Sequence, residues 1–299
     1  MQIDSIGTPR EYSAMKRLIV NADDFGRSPG INRGILETHQ RGIVTSTTVM
    51  VNFPDAGPGL ELALAEAPRL GIGLHVTLTA GRPVSAPERV RSLLDDDGHF
   101  VHISAWPAQM DRFDPDHLQR EVAAQVDRFI SLTGRPPDHL DSHHHAAYLH
   151  PASLRAILEI AAGYGIPMRA GLIDLPASQA AAILANILPG FGPETALPLV
   201  ERLQAVLAEG PAPFWPACFE AGYYDRTATL GDLLVILTNL PDDRVTELMT
   251  HPGYVDDVLG SSGYREKREE EVFQLTHAAT RECVGAEGIQ LITFGDLTR

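Results

Sequence analysis

The chain has 299 residues, enough for one large α/β domain or two small ones, and its 44% hydrophobic against 21% charged residues fits a globular fold with a substantial core. A net charge of −15 argues against nucleic acid or an anionic membrane surface as a partner. Cys218 and Cys283 alone make no disulfide framework, which points to a reducing cytoplasm, and no run of about 18 apolar residues exists to span a membrane.

Residues 1–14 are polar, lack an apolar signal core and read as a disordered extension. Residues 17–22 form a short apolar strand. Ser28 is a good N-cap and Pro29 suits a first helical turn, so a helix is predicted from there to about Gln40, ended by Gly42. The Val- and Thr-rich stretch 44–51 is a second strand, Pro54 opens a helix to Glu66, and 70–78 is a third strand with His75 near its end. Strand alternating with helix predicts a parallel sheet with crossover helices.

Residues 80–115 break that rhythm with Gly81, four prolines and the acidic run Asp95-Asp96-Asp97. An inserted stretch of this length reads as a lid or binding wall, and it could serve as a contact in a homodimer. Helices follow at 116–132 and 152–164, around a short strand at 139–141. A strand is predicted at 167–170 and interrupted helices between 183 and 213. Further strands are predicted at 216–221, 245–251 and 289–294, with helices at 229–238 and 265–283. Seven or eight such units without an internal linker fit a single irregular (β/α) barrel, TIM-like, over residues 15–299. Its chemistry is expected at the C-terminal ends of the strands.

Several strands stop at ionisable side chains. Asp23-Asp24 ends the first; two adjacent acids repel unless a cation binds, so one would hold a metal and the other act as a base. His75 ends the third, and Asp141-Ser142-His143-His144-His145 ends the fourth. Successive side chains of that run point to different sides, so one or two of its histidines would face a metal. Asp141 and His145 would then support the ligands from behind. His251, before Pro252-Gly253-Tyr254, reaches the same rim with an imidazole suited to proton transfer. Arg169 could bind a substrate oxygen or pair with a carboxylate of the site. Trp106 and Tyr254 are the aromatic candidates for contact with substrate. One carboxylate and two imidazoles on a divalent ion leave positions open for water and substrate, as metal-assisted hydrolysis requires.

The stretches Leu18-Ile19-Val20-Asn21-Ala22-Asp23-Asp24-Phe25-Gly26, Gly42-Ile43-Val44-Thr45-Ser46-Thr47-Thr48, Gly73-Leu74-His75, Pro137-Asp138-His139-Leu140-Asp141-Ser142-His143-His144-His145 and His251-Pro252 occur in this order. Together they resemble the YdjC family of carbohydrate deacetylases, most closely its chitooligosaccharide deacetylase members. The resemblance implies one divalent metal ion held by Asp24, His75 and His143, with Asp23 as catalytic base and His251 as acid. It also implies an N-acetylated sugar as substrate. By ligand type the set suits Zn²⁺; the resemblance also points to Mg²⁺. The sequence departs from the family at Ala146-Ala147-Tyr148-Leu149-His150-Pro151 and matches it poorly beyond Ala170. The competing expectations are a metal-dependent phosphoesterase and a non-catalytic sugar-binding barrel.

Overall fold

The computed structural model describes residues 15–171, 174–187, 191–259 and 263–298; the expected N-terminal extension lies outside them. The chain runs β1 (Arg17–Phe25), α1 (Pro29–Arg41), β2 (Ser46–Val49), α2 (Ala56–Glu66) and β3 (Gly71–Val76). It continues through α3 (Trp106–Gln109), α4 (Pro115–Thr133), β4 (Leu140–Ser142), α5 (Pro151–Tyr164), α6 (Ala177–Ile187) and α7 (Pro193–Glu209). It ends with β5 (Cys218–Glu220), α8 (Leu230–Thr238), β6 (Val245–Thr250), α9 (Glu266–Thr276), α10 (Ala278–Ala286) and β7 (Gln290–Leu291).

All strand pairs are parallel, in the order β4-β3-β2-β1-β6-β5, and the β7 stub pairs with the base of β1. The central strands are buried along almost their whole length, as expected of a sheet covered by helices. Outside the sheet, α1 packs on α2 and α9, α4 on α2 and α5, α5 on α7, and α10 on α8 and α9. Among the described residues no helix is long and apolar enough to cross a membrane.

The sheet curls like a barrel but closes incompletely. The strand expected at 167–170 is only a single bridge, Met168 beside Leu140. On the β4 side the Pro167 carbonyl accepts the Leu140 N–H (3.1 Å) and the Arg169 N–H donates to the Leu140 carbonyl (2.9 Å); Pro167 offers no N–H, and on the other side the Met168 N–H donates to the carbonyl of Phe214, four residues before β5 (2.8 Å). The single helix expected at 265–283 is two. His277 is extended at the junction, and its Nδ1 accepts the Ala279 N–H at 3.1 Å, so it caps α10.

Between β3 and α4 the chain forms short 3₁₀ turns and α3. This stretch adds Val90, Leu93, Phe100, Trp106 and Phe113 to the main apolar core. The Glu121 carboxylate of α4 accepts the N–H groups of Val84 (2.9 Å) and Ser85 (3.0 Å) and ties it down.

Two local features aim the strand ends. Asp23 and Asp24 would face opposite sides of a regular strand. Here the β1–β2 register shifts between Ala22 and Phe25, and Asp24 takes a left-handed conformation (φ 71°). Both carboxylates therefore reach the mouth of the sheet. After β6, the turn Pro252-Gly253 lies hard against α1: a Cβ on Gly34 would stand 2.5 Å from the Gly253 Cα. Glycine at 34 lets the loop carrying His251 sit that close.

Candidate metal centre

Asp24, His75 and His143 are buried at the C-terminal ends of β1, β3 and β4. Each offers one donor atom, and the three donors lie within 4.8 Å of one another. Asp24 Oδ1 is 3.4 Å from His75 Nε2 and 3.1 Å from His143 Nδ1. Asp24 Oδ1 and His75 Nε2 are buried without a hydrogen-bond partner. Buried polar atoms left unpaired are costly, and a cation between them would satisfy both. The donor set therefore fits a divalent ion.

Two of the three candidate donors, His75 and Asp24, are held from their far side. The His75 Nδ1–H donates to Asp141 Oδ1 at 2.6 Å, and Thr48 Oγ1 donates to Asp141 Oδ2 at 2.9 Å. This pairing fixes the tautomer that turns Nε2 to the metal position. Burial alone would lower the His75 pKa, but Asp141 outweighs it and raises it to about 10. Asp24 Oδ2 accepts a hydrogen bond from the buried Arg268 of α9, with Arg27 at 3.8 Å. Arg268, with His143, offsets burial and holds Asp24 well below the usual carboxylate range.

The three histidines separate because His144 (φ 53°) and His145 (φ 55°) are both left-handed. Non-glycine residues in this region are uncommon, and here they reverse the chain just after β4. His143 faces Asp24. The His144 ring lies against His143 (centroids 3.9 Å, planes tilted by 31°), with its Nδ1 3.0 Å from Thr79 Oγ1. His145 turns toward Phe219 and Tyr148.

Asp23 lies deeper. Both its oxygens accept hydrogen bonds from the Arg169 guanidinium at 2.7 Å, and Asn21 Nδ2 donates to Oδ1 at 2.8 Å. Burial works against ionisation, but Arg169 overrides it and keeps the carboxyl well below its ordinary pKa. Arg169 Nη1 is also 3.0 Å from Asp141, and its Nε donates to Glu247 at 2.6 Å. A second grouping, Asp23 with His75 and Asp141, thus already holds a cation, the guanidinium. His251 Nε2 is 3.9 Å from Asp23 Oδ2, and burial lowers the imidazole pKa to about 4.

Of the two roles expected of Arg169, the structure shows the pairing one, and two other expectations need correction. Arg169 is fully buried with its donors spent on three carboxylates, so it organises charge within the site. Trp106 is 1% exposed, its indole N–H donating to Val101 and its ring edge-on to Phe113. It offers no open face to a sugar. The Tyr254 hydroxyl donates to Glu37 of α1 at 2.7 Å, and Arg33 covers its ring, so it braces α1 instead.

Arg268 and Glu271 belong to the site and were missed. Glu271 accepts the His251 backbone N–H at 2.6 Å, and Arg268 Nη1 donates to the His251 carbonyl at 3.3 Å. In the sequence they lie in a seven-residue charged run, 265–271, inside the helix expected at 265–283. The available signal is that Arg268, Val272 and Leu275 share one helical stripe. Glu247, a lone acid in the apolar strand β6, was a plainer signal.

A family model described as YdjC-like protein matches residues 17–286. A carbohydrate deacetylase of Brevibacillus brevis is 36% identical over 94% of this chain and 99% of its own length. A chitooligosaccharide deacetylase of Yersinia enterocolitica is 32% identical over the same shares. A structure from Enterococcus faecalis, provisionally named a cellobiose-phosphate cleavage protein, superposes with a TM-score of 0.76 at 31% identity, covering 95% of this chain and 99% of that one. With the match spanning nearly the whole chain, this protein belongs to the YdjC-like family.

Proposed function

We propose that this protein is a metal-dependent carbohydrate deacetylase that removes an N-acetyl group from an amino sugar or chitooligosaccharide and releases acetate. The observation that carries the reading is the convergence of Asp24 Oδ1, His75 Nε2 and His143 Nδ1, two of them buried and unpaired. Relatives named carbohydrate and chitooligosaccharide deacetylases supply the substrate class.

Asp24, His75 and His143 would hold the ion. When bound, a divalent ion makes water a better nucleophile and polarises the acetyl carbonyl. Arg169 keeps Asp23 ionised, so the carboxylate is in the proton-accepting form, and its two hydrogen bonds to that carboxylate lower its basicity. His251 is the imidazole beside that carboxylate. It is neutral at rest because burial depresses its pKa, so it must gain a proton during turnover before it can donate to the departing amine. Asp141 and Thr48 orient His75, while Arg268 ties the Asp24 carboxylate to the His251 loop.

The phosphoesterase alternative is disfavoured by charge. Phosphoryl-transfer sites with two metals need a second vacant carboxylate cluster, and Arg169 fills that place here. The test is acetate release from N-acetylated chitooligosaccharide, with and without chelator, beside a phosphate ester control. Asp24→Ala is expected to lose both metal binding and acetate release while remaining folded. Acetate release that survives chelation would overturn metal dependence, and sugar binding without acetate release would favour the non-catalytic barrel.

A further inference from the structure

Beside His251 stands an aromatic pair that none of the chemistry above uses. Tyr224 and Tyr264 are stacked, with ring centroids 4.5 Å apart and planes 11° from parallel. Both meet the His251 ring edge to face, at 5.4 Å for Tyr224 and 5.8 Å for Tyr264. Tyr264 is buried and its hydroxyl donates to Glu271, which also holds the His251 backbone N–H. Tyr224 is 45% exposed. A large aromatic ring that is half open to solvent, yet fixed from behind, is the usual form of a recognition surface rather than of a core.

The ring is also pre-positioned. The Thr227 hydroxyl donates to the Tyr224 carbonyl at 2.7 Å, and the Tyr224 N–H donates back to it at 3.3 Å. Asp225, the next residue, is left-handed (φ 53°), which reverses the chain and leaves the ring standing at the mouth. An ordered ring loses little entropy when a ligand covers it.

We infer that Tyr224, backed by Tyr264, is a stacking platform for a pyranose ring, namely the sugar residue next to the one that loses its acetyl group. The C–H face of a pyranose is apolar and its hydroxyl edge is polar, which matches a tyrosine with an open face and a polar tip. The platform adjoins His251, whose Nε2 lies 3.9 Å from Asp23, so a sugar stacked there is adjacent to the reacting group. Tyr224 therefore sets a preference for a disaccharide or longer chain over a single sugar. This inference rests on the deacetylase reading for the identity of the neighbouring group.

The test compares N-acetylglucosamine with its β-1,4-linked disaccharide, using metal-loaded wild type, Tyr224→Ala and Tyr224→Trp. Tyr224→Ala is expected to lower kcat/KM for the disaccharide at least tenfold more than for the monosaccharide, mainly through KM, and Tyr224→Trp is expected to restore the preference. Equal losses on both substrates, or none, would overturn the platform. Calorimetric binding of the fully deacetylated disaccharide separates this from the parent reading. Binding that is lost in Tyr224→Ala, from a wild type that releases no acetate, would retain the platform and reject deacetylation. Absence of both binding and acetate release would reject both.

Discussion

The sharpest test of the metal centre is a residue that would not touch the metal. In Asp141→Asn the charge-assisted bond to His75 Nδ1 (2.6 Å) becomes a neutral one, and an amide NH2 at the Oδ2 position faces both Thr48 and Arg169, which donate. His75 then loses the partner that fixes its tautomer and strengthens Nε2 as a ligand. Partners of this kind typically contribute ten- to a hundredfold in metal affinity, or about 1.4–2.7 kcal/mol. Since a ligand bound only by the folded state stabilises it by RT ln(1 + [L]/Kd), the metal-induced rise in Tm should shrink by about 2–4 °C at fixed excess metal. The assay is calorimetric titration with Zn²⁺ and with Mg²⁺, paired with thermal melts of chelated and loaded protein. Thr48→Val, which removes only the outer hydroxyl, should lie between wild type and Asp141→Asn. If Asp141→Asn binds metal as tightly as wild type and shows the same rise in Tm, His75 is not a ligand and the centre has been misassigned.

Other perturbations probe the surroundings. Arg268→Met strips Asp24 Oδ2 of its buried cation, leaving only Arg27 at 3.8 Å. Breaking such a pair costs about 3–5 kcal/mol, and urea unfolding should show a larger loss in chelated than in metal-loaded protein, because the ion neutralises the same carboxylate. Equal losses would place Asp24 outside the metal site. Gly34→Ala drives a Cβ into the Gly253 backbone, so a cost of about 1–3 kcal/mol is expected together with reduced turnover from a displaced His251. Unchanged melting and kinetics would show that the contact is loose. His150 caps α5, its Nδ1 accepting the Ala152 N–H at 3.1 Å, and burial with help from Arg202 lowers its pKa to about 4. The unfolded imidazole titrates near 6.5, so between about pH 6.5 and 4 the unfolded state binds more protons and stability falls as pH falls, by on the order of 1–3 kcal/mol. His150→Asn keeps a cap without titrating; its unfolding free energy should decline less steeply over that window, and an identical slope would remove His150 as the cause.

Much of the architecture is legible from local pattern. Ser28-Pro29 does start α1, with the Ser28 hydroxyl accepting the Ile31 N–H at 3.2 Å, and the Val/Thr-rich and apolar runs do become β2, β3 and β6. These signals survive because helix caps and buried strands depend on neighbours a few residues away. The boundary errors arise where a short segment has no periodicity of its own. Residues 167–170 have room for one bridge, and the helical pattern that runs on through His277 hides a helix break.

From the sequence alone come the residue types that ring the mouth, Asp24, His75 and His143 among them, because strand ends crowded with ionisable groups are visible wherever the apolar run stops. The motif resemblance singles out those three, and the tertiary structure decides how they meet. The backbone twists at Asp24, His144 and His145 choose one carboxylate and one histidine from each run. Arg169 and Arg268, separated from their partners by 146 and 244 residues, are spent as buried counter-charges. Trp106 goes inward and Tyr224 stays at the rim. The physical reason is that burial and charge pairing are settled by contacts across the whole chain, whereas caps and strand runs are settled within a few residues.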